Sequence, residues 1–380
     1  MPNATLTNAQ TAKNDEFYTQ YADIQKEMNA YLDYDRDVFR GKTILLPCDD
    51  PEWSNFTKYF AQHFEELGLR KLISTSYAPE SKKYRVPYEP TLFETSSPQY
   101  NPDKTKTHGK IFVLERSSPG GKRIDIDALE WDYLEGDGDF RSQEICRLRD
   151  EADIIITNPP FSMLRDFIAW LMEAEKKFII IGNLNAIAYS QIFPLFLNNK
   201  VWLGNDNGAK RFYSLEDNKR LVSFGNCRWF TNIDHGRRHQ PLALMTMDEN
   251  IKHNPAIGEK KQYQKYDNYD AIEIPFVNAI PSDYDGIMGV PISFLEKHCL
   301  EQFEILGATQ RGCHDAVPDT KTYDDYWEMK QNGQKTGSSG RKTNGNANLE
   351  QNDGKKNYFI NAQGHIVQSA FQRIFIRRKQ

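Results

Sequence analysis

Residues 153–172, DIIITNPPFSMLRDFIAWLM, constrain the fold more than any other stretch. A run of apolar β-branched residues ends at Thr157, and two consecutive prolines then fix two φ angles and remove two backbone donors. Leu164, Phe167, Ile168, Leu171 and Met172 follow at the spacing of an amphipathic helix. A strand with no polar alternation has to be covered on both faces. The pattern recurs nearby: 42–47 is a short apolar run, and Phe56, Tyr59, Phe60, Phe64 and Leu67 keep helical spacing up to Gly68. Segments 71–76, 110–115 and 177–182 are further strand candidates, with 79–108 a Pro- and Lys-rich surface insertion. Apolar strands alternating with helices predict an α/β chain built on a parallel sheet.

Beyond about residue 200 the rhythm changes to irregular, aromatic-rich segments with short strands at 221–225 and 271–275, so a second domain is expected over 201–380 after a first over 1–200. Residues 331–357 are almost devoid of apolar side chains and predict a mobile loop, followed by a terminal strand at 370–376. With 380 residues and 39% hydrophobic content, the chain can bury a large core. No apolar run approaches the roughly 20 residues that span a bilayer, and the polar N-terminus lacks a signal-peptide core. A cytoplasmic protein with no membrane partner is expected. Five scattered cysteines and eight histidines show no ligand-like spacing, so neither a disulfide framework nor a metal site is expected. The net charge of −5 neither favours nor excludes a nucleic-acid partner.

The bend itself carries chemistry. In open parallel sheets ligands bind at the carboxyl ends of strands, where Asn158, Pro159, Pro160 and Phe161 lie. The donor-free turn leaves its carbonyls able to accept, Asn158 adds a side-chain carbonyl, and Phe161 adds a flat apolar face. Together they suit a planar ring bearing an amino group: two oxygens for two N–H groups, beside a stacking platform.

Asn-Pro-Pro-Phe after an apolar strand resembles the catalytic motif of amino-group methyltransferases that use S-adenosylmethionine. The wider set is similar to the adenine-specific DNA methyltransferases of the EcoRI modification type: NDEFYTQY (14–21), CDDPEWSNF (48–56), GDGDFRS (136–142), DIIITNPPFS (153–162), FGNCRWFTNID (224–234), GVPISFLEKH (289–298) and RIFIRRK (373–379). The resemblance implies a Rossmann-like methyltransferase domain with a C-terminal mixed α/β target-recognition region. It implies that Phe17, Tyr18 and Thr19 close over the methionine end of the cofactor. Asp49, Asp50, Pro51, Asn55 and Phe56 would form the turn holding its amino-acid part, with Asn158 nearby. Asp139 would accept from the cofactor's adenine amine and Phe140 would stack on that adenine, with Asp137 a competitor for the first role. One of Trp229 or Phe230, together with Phe161, would stack on the target base; simple core packing suits Trp229 and Phe230 equally well. The sequence departs from the family pattern twice: turn 48–56 has no glycine, and the strand ending near Ser76 lacks the acidic residue that commonly holds ribose hydroxyls, a role open to an aspartate of the first turn.

The implied activity is site-specific methylation of adenine N6 in double-stranded DNA, with the base rotated out of the duplex. A cognate restriction endonuclease acting on the same site is a possible partner, and the setting is bacterial and nucleoid-associated. Lys210, Arg211, Arg237, Arg238, Arg311, Arg341 and Lys342 are the candidate phosphate contacts, the last two within a basic segment, 335–379, that also carries Lys335, Lys355, Lys356, Arg373, Arg377, Arg378 and Lys379. Two alternatives stand beside this reading: the same catalytic fold acting on RNA or a protein glutamine, and a non-catalytic DNA-binding relative. A cytosine-N4 enzyme would more typically carry serine in place of Asn158.

Overall fold

The computed structural model describes residues 17–81, 90, 92–116, 130–206, 210–214, 221–258, 262–309, 317, 320–323, 326–339, 343–351, 357–360, 364–370 and 372–379. They fall into two compact units, one comprising Met1–Ile187 with Val201–Gly236 and the other Ala188–Lys200 with Arg237–Gln380.

In the first unit the chain runs β1 (Phe17–Thr19), α1 (Tyr21–Tyr34), β2 (Thr43–Leu46), α2 (Asn55–Gln62), β3 (Lys71–Thr75), β4 (Lys110–Glu115) and β5 (Trp131–Tyr133). It continues through α3 (Gln143–Glu151), β6 (Ile154–Thr157), α4 (Leu164–Glu173), β7 (Lys177–Asn183), β8 (Trp202–Leu203), β9 (Lys210–Ser214), β10 (Leu221–Phe224) and β11 (Cys227–Thr231). Eight of these strands form one sheet in the order β5-β4-β3-β2-β6-β7-β11-β8. The centre, β3-β2-β6-β7, is parallel, while β4, β5, β11 and β8 pair antiparallel at the flanks.

The local sequence explains these elements. The residues of β2 and β6 are all buried, as expected of strands covered on both faces. Helix α1 buries Ile24, Glu27, Met28 and Tyr31, one stripe at helical spacing. Ser54 starts α2 by accepting from the Phe56 amide, and Ser142 starts α3 by accepting from the Ile145 amide. Arg149 ties α3 to α4: it donates to the Trp170 carbonyl at 3.0 Å and lies 5.0 Å over the Trp170 ring.

The break expected at residue 200 lies elsewhere. Val201–Gly236 returns to the first unit, because β8 and β11 extend the eight-stranded sheet beyond β7. The intervening Ala188–Lys200, with α5 (Phe193–Leu197), belongs to the second unit.

That second unit is mostly antiparallel strand. After α6 (Met247–His253) come β12 (Ala271–Glu273), β13 (Ile287–Pro291) and β14 (Phe303–Ala308), then β15 (Trp327–Met329), β16 (Lys335–Ser339), β17 (Asn348–Gln351), β18 (Tyr358–Ile360), β19 (Ile366–Ser369) and β20 (Arg373–Arg378). They make a four-stranded sheet, β12-β13-β20-β14, and a five-stranded sheet, β16-β15-β18-β19-β17. The stretch 331–357, expected as a structureless loop, thus supplies β16 and β17. Strand pairing is a backbone interaction, so a polar segment can join a sheet whose apolar face comes from its neighbours, here Phe359 and Val367.

Candidate active site

From β2 the chain moves through α2 to β3 on one side, and it later returns to β6 on the other. The carboxyl ends of β2 and β6 therefore border the point where strand order reverses, which in open α/β sheets is where ligands bind. The turn after β2 carries Asp49 to Phe56, and the turn after β6 carries Asn158 to Phe161. The structure thus sets the two sequence-predicted turns side by side.

Asp49 joins them. One carboxylate oxygen accepts from Ser54 Oγ at 2.6 Å and the other from Thr157 Oγ1 at 2.6 Å. Its amide donates to the Thr75 carbonyl, and its own carbonyl accepts from Ser74 Oγ, which also meets Thr57. The residue is 5% exposed, and burial, opposed by the two hydroxyls and reinforced by Asp50, pushes its pKa up to about 7. Asp49 was expected to contact the cofactor, but both of its oxygens are taken up inside the protein. Ser54, Ser74 and Thr157 were not singled out for this role; their one sequence signal is a hydroxyl residue at each strand or helix end facing the reversal point.

Asp50 shapes the turn itself, its side chain accepting from the Glu52 amide and its carbonyl from the Ser54 amide. Lys110, almost buried at the start of β4, is paired with Glu52 at 2.5 Å and Glu94 at 3.4 Å, and lies 4.6 Å over the Trp131 ring. With Asp50 also acting on it, three carboxylates around one ammonium leave this edge acidic. Ser76, where an acidic residue is missing, instead accepts the Lys110 amide, and Gly109 and Gly138 close over its carbonyl so tightly that a Cβ at either would lie 2.3 Å or 2.1 Å from that oxygen.

The N-terminal segment reaches the same place. Asn55 Nδ2 donates to the Thr19 carbonyl at 2.7 Å, and β1 pairs with β9. Thr19 Oγ1 and Gln20 Nε2 are buried with no hydrogen-bond partner among the described residues. The side chains of Phe17 and Tyr18 lie outside what is described. Phe56 is in the core, edge-on to Trp229 at 6.0 Å, and Pro51 is buried.

On the catalytic side Asn158 is half-buried, Pro159 is buried, and Phe161 is half-buried against the apolar core cluster that includes Phe56 and Trp229. Asp139 is held by Arg141, at 2.9 Å to Nε and 2.6 Å to Nη2, and this pairing keeps its carboxyl below the usual range. Phe140 departs from expectation: its ring is buried, edge-on to Phe167 at 5.0 Å and Trp170 at 5.5 Å, so it anchors its loop on α4.

Trp229 and Phe230 also require correction as base-stacking residues. Both are 0% exposed, in register with Ile181 and Ile180 of β7, so neither ring has a face for a base. An aromatic pair in sequence does not announce that its strand will be interior.

The basic residues divide sharply. Lys210 and Arg211, expected in the second domain, lie on β9 of the first unit, with side chains outside what is described. Arg238 is buried and donates to Asn199 Oδ1, and Arg237 donates to the Glu296 carbonyl at 2.8 Å. Arg373 pairs with Glu273, Arg377 with Glu304, Arg378 with the Ser282 carbonyl, and Lys379 with the Leu300 carbonyl. The second unit thus spends these cations on its own framework. Arg311, Arg341 and Lys342 lie outside the described residues.

Comparison with known proteins shows the family. The family model described as adenine-specific methyltransferase EcoRI matches residues 5–379. Type II methyltransferase M.EcoRI of Escherichia coli is 39% identical over 319 residues, covering 80% of this chain and 89% of that protein. Type II methyltransferase M.MpnI of Mycoplasma pneumoniae is 32% identical over 317 residues, covering 79% of this chain and 84% of its own. No solved structure matches. A match along nearly the whole length, over a sheet that sets the Asn-Pro-Pro-Phe turn at its reversal point, means that the chain belongs to the EcoRI family of adenine-specific methyltransferases.

Proposed function

We propose that the protein transfers a methyl group from S-adenosylmethionine to N6 of an adenine flipped out of double-stranded DNA at a specific site. The observation that carries this reading is the position of Asn158–Phe161 at the carboxyl end of β6, beside the acidic turn after β2. Amine nitrogen N6 is a poor nucleophile because its lone pair is delocalised into the ring. The Asn158 side-chain carbonyl and the Pro159 carbonyl accept its two hydrogens, which favours a pyramidal nitrogen with the lone pair directed at the methyl group. Phe161 supplies the stacking face.

The residues of the turn fit the cofactor. Thr19 Oγ1 and Gln20 Nε2 are buried polar atoms in need of partners, and the amino-acid part of S-adenosylmethionine supplies them beside Asn55. The acidic edge of Asp50 and Glu52 suits both the ribose hydroxyls and a cationic sulfonium. When bound, the cofactor contributes an electrophilic methyl group. Asp139 accepts its adenine amine through oxygens that Arg141 also uses, while Phe140 keeps that loop in place. The second unit carries target recognition, and the candidate phosphate contacts are Lys210 and Arg211 of the first unit with Arg311, Arg341 and Lys342. A restriction endonuclease cutting the same site is the partner such an activity protects against.

The adenine specificity in the family's description leaves the glutamine alternative without support. The test is transfer of labelled methyl to unmodified duplex DNA, followed by nucleoside analysis. N6-methyladenine at one recurring sequence is expected, with Asn158→Ala slower by about 100-fold or more. Label on RNA alone, or normal turnover by Asn158→Ala, would overturn the reading.

A further inference from the structure

The ladder between β2 and β6 pairs Ile44 with Ile154 and Leu45 with Ile155 and goes no further. By Thr157 the two strands have parted. On its other side β6 remains paired to β7 as far as Thr157 and Ile180. Across the open side the bond from Thr157 Oγ1 to the Asp49 carboxylate takes over where the backbone bonds stop, one residue before Asn158. The second Asp49 oxygen reaches Ser54, the residue that starts α2 and precedes Asn55. Thus one carboxylate connects the turn assigned to the cofactor with the turn assigned to the target amine.

We propose that Asp49 is a positioning residue that sets the separation between the cofactor turn and Asn158, acting through Ser54 on one side and Thr157 on the other. The inference rests on the function proposed above, in which Asn158 orients the target amine. Methyl transfer needs donor and acceptor held in line at near-contact distance, and small misplacements are costly in rate. Two bonds of 2.6 Å to a buried side chain fix that distance more narrowly than a turn of two prolines can alone. The hydroxyls that meet the carboxylate are those of Ser54, the cap of α2, and Thr157 from β6, while the Ser74 hydroxyl, which also meets Thr57 of α2, donates to the Asp49 backbone carbonyl. Asp50 is the charged group that acts on it. The ionised form accepts from both Ser54 and Thr157, whereas protonation turns one acceptor into a donor and disturbs one of the two links.

The experiment is a panel of Thr157→Val, Thr157→Ser, Asp49→Asn and Asn158→Ala, with kcat, cofactor Kd and thermal midpoint measured on each. Thr157→Val removes the crossing bond at constant shape and should lower kcat by about 10-fold or more while changing cofactor Kd by less than about 2-fold. Thr157→Ser, which keeps the hydroxyl, should restore the rate. The wild-type rate should decline as pH falls through about 7, and that limb should vanish in Asp49→Asn. Normal kcat in Thr157→Val, or survival of the limb in Asp49→Asn, would overturn the proposal. The Val and Ser pair decides the matter even if Asp49→Asn fails to fold. An active Asn158→Ala would instead remove the functional reading beneath it; an inactive Asn158→Ala with normal Thr157→Val would sink this inference alone.

Discussion

Asp49 in the first unit and Glu273 in the second are carboxylates buried to similar depth, 5% and 8% exposed, yet they are accommodated in opposite ways. Glu273 faces Arg373, with Nε at 3.0 Å and Nη2 at 2.5 Å, and accepts from the Tyr266 hydroxyl. Its charge is matched by a cation across the β12-β13-β20 sheet. Asp49 has only hydroxyls and amide geometry around it, with a further carboxylate, Asp50, nearby. The framework unit neutralises its buried charge; the unit with the active site retains an uncompensated one. A group kept at a cost to stability is better explained by the geometry it enforces than by the folding energy it supplies.

Removing one partner of the paired site should have the largest effect. Glu273→Gln leaves the Arg373 guanidinium buried against a neutral amide, and urea denaturation should show a loss of about 3–5 kcal/mol. An unchanged midpoint would mean that the pair is solvated in solution and that the contrast with Asp49 is false.

The Asp49 site should show its cost through pH. Its carboxyl binds a proton more tightly folded than unfolded, its pKa raised from 3.8 to about 7. Its contribution to stability is therefore complete below the unfolded value and is lost as pH rises through the folded one. The linked loss is on the order of 4 kcal/mol. Asp49→Asn should lack this fall, so thermal midpoints of mutant and wild type should diverge in the mutant's favour on the alkaline side. Parallel curves would place the charge in a wetter setting.

His298 in the second unit should slope the other way. Burial, with help from Arg238 and Lys379, lowers its pKa from 6.5 to about 4. Its neutral form is the folded one, so its contribution is present above the unfolded value and is lost as pH falls towards the folded one, on the order of 3 kcal/mol. Hydrogen exchange resolved by peptide should show the second unit loosening on acidification, a change reduced in His298→Gln.

The smallest difference compares two helix caps. Ser54 caps α2, and Thr246 caps α6 by accepting from the Glu249 amide. Each replacement by Ala should cost about 1 kcal/mol of stability. Only Ser54→Ala also removes a donor to Asp49, so only it should slow methyl transfer. Equal effects on rate would dissolve the distinction between the two units.

Apolar runs alone locate β2, β3, β6 and β7, because central strands covered on both faces carry a strong signal, and also β4, although that flanking strand is buried only in part. The amphipathic stripe from Leu164 to Leu171 likewise matches the buried face of α4. The turn Asn158–Phe161 is readable because its residue types are unusual for any structural purpose. The division of labour between Asp49 and Asp50 is not readable, since it depends on Thr157, which lies 108 positions away in the chain. Trp229 and Phe230 mislead for a related reason: burial belongs to β11 as paired with β7, and a strand's neighbours are not written in its own residues. In the second unit short polar strands such as β16 are joined through backbone bonds that leave little trace in side-chain pattern.

The order of strands in the four-stranded sheet bears on how the protein is made. Strand β20, residues Arg373–Arg378, lies between β13 and β14, bonded to both. During synthesis the earlier strands leave the ribosome with the place between them vacant, and their edges stay exposed until residues near 378 have emerged. The first unit has its final strand, β11, by Thr231. Translation therefore delivers a finished methyl-transfer sheet well before its companion can close, and a nascent chain stalled anywhere in the last third would hold the proposed reactive site without the part proposed to choose its target.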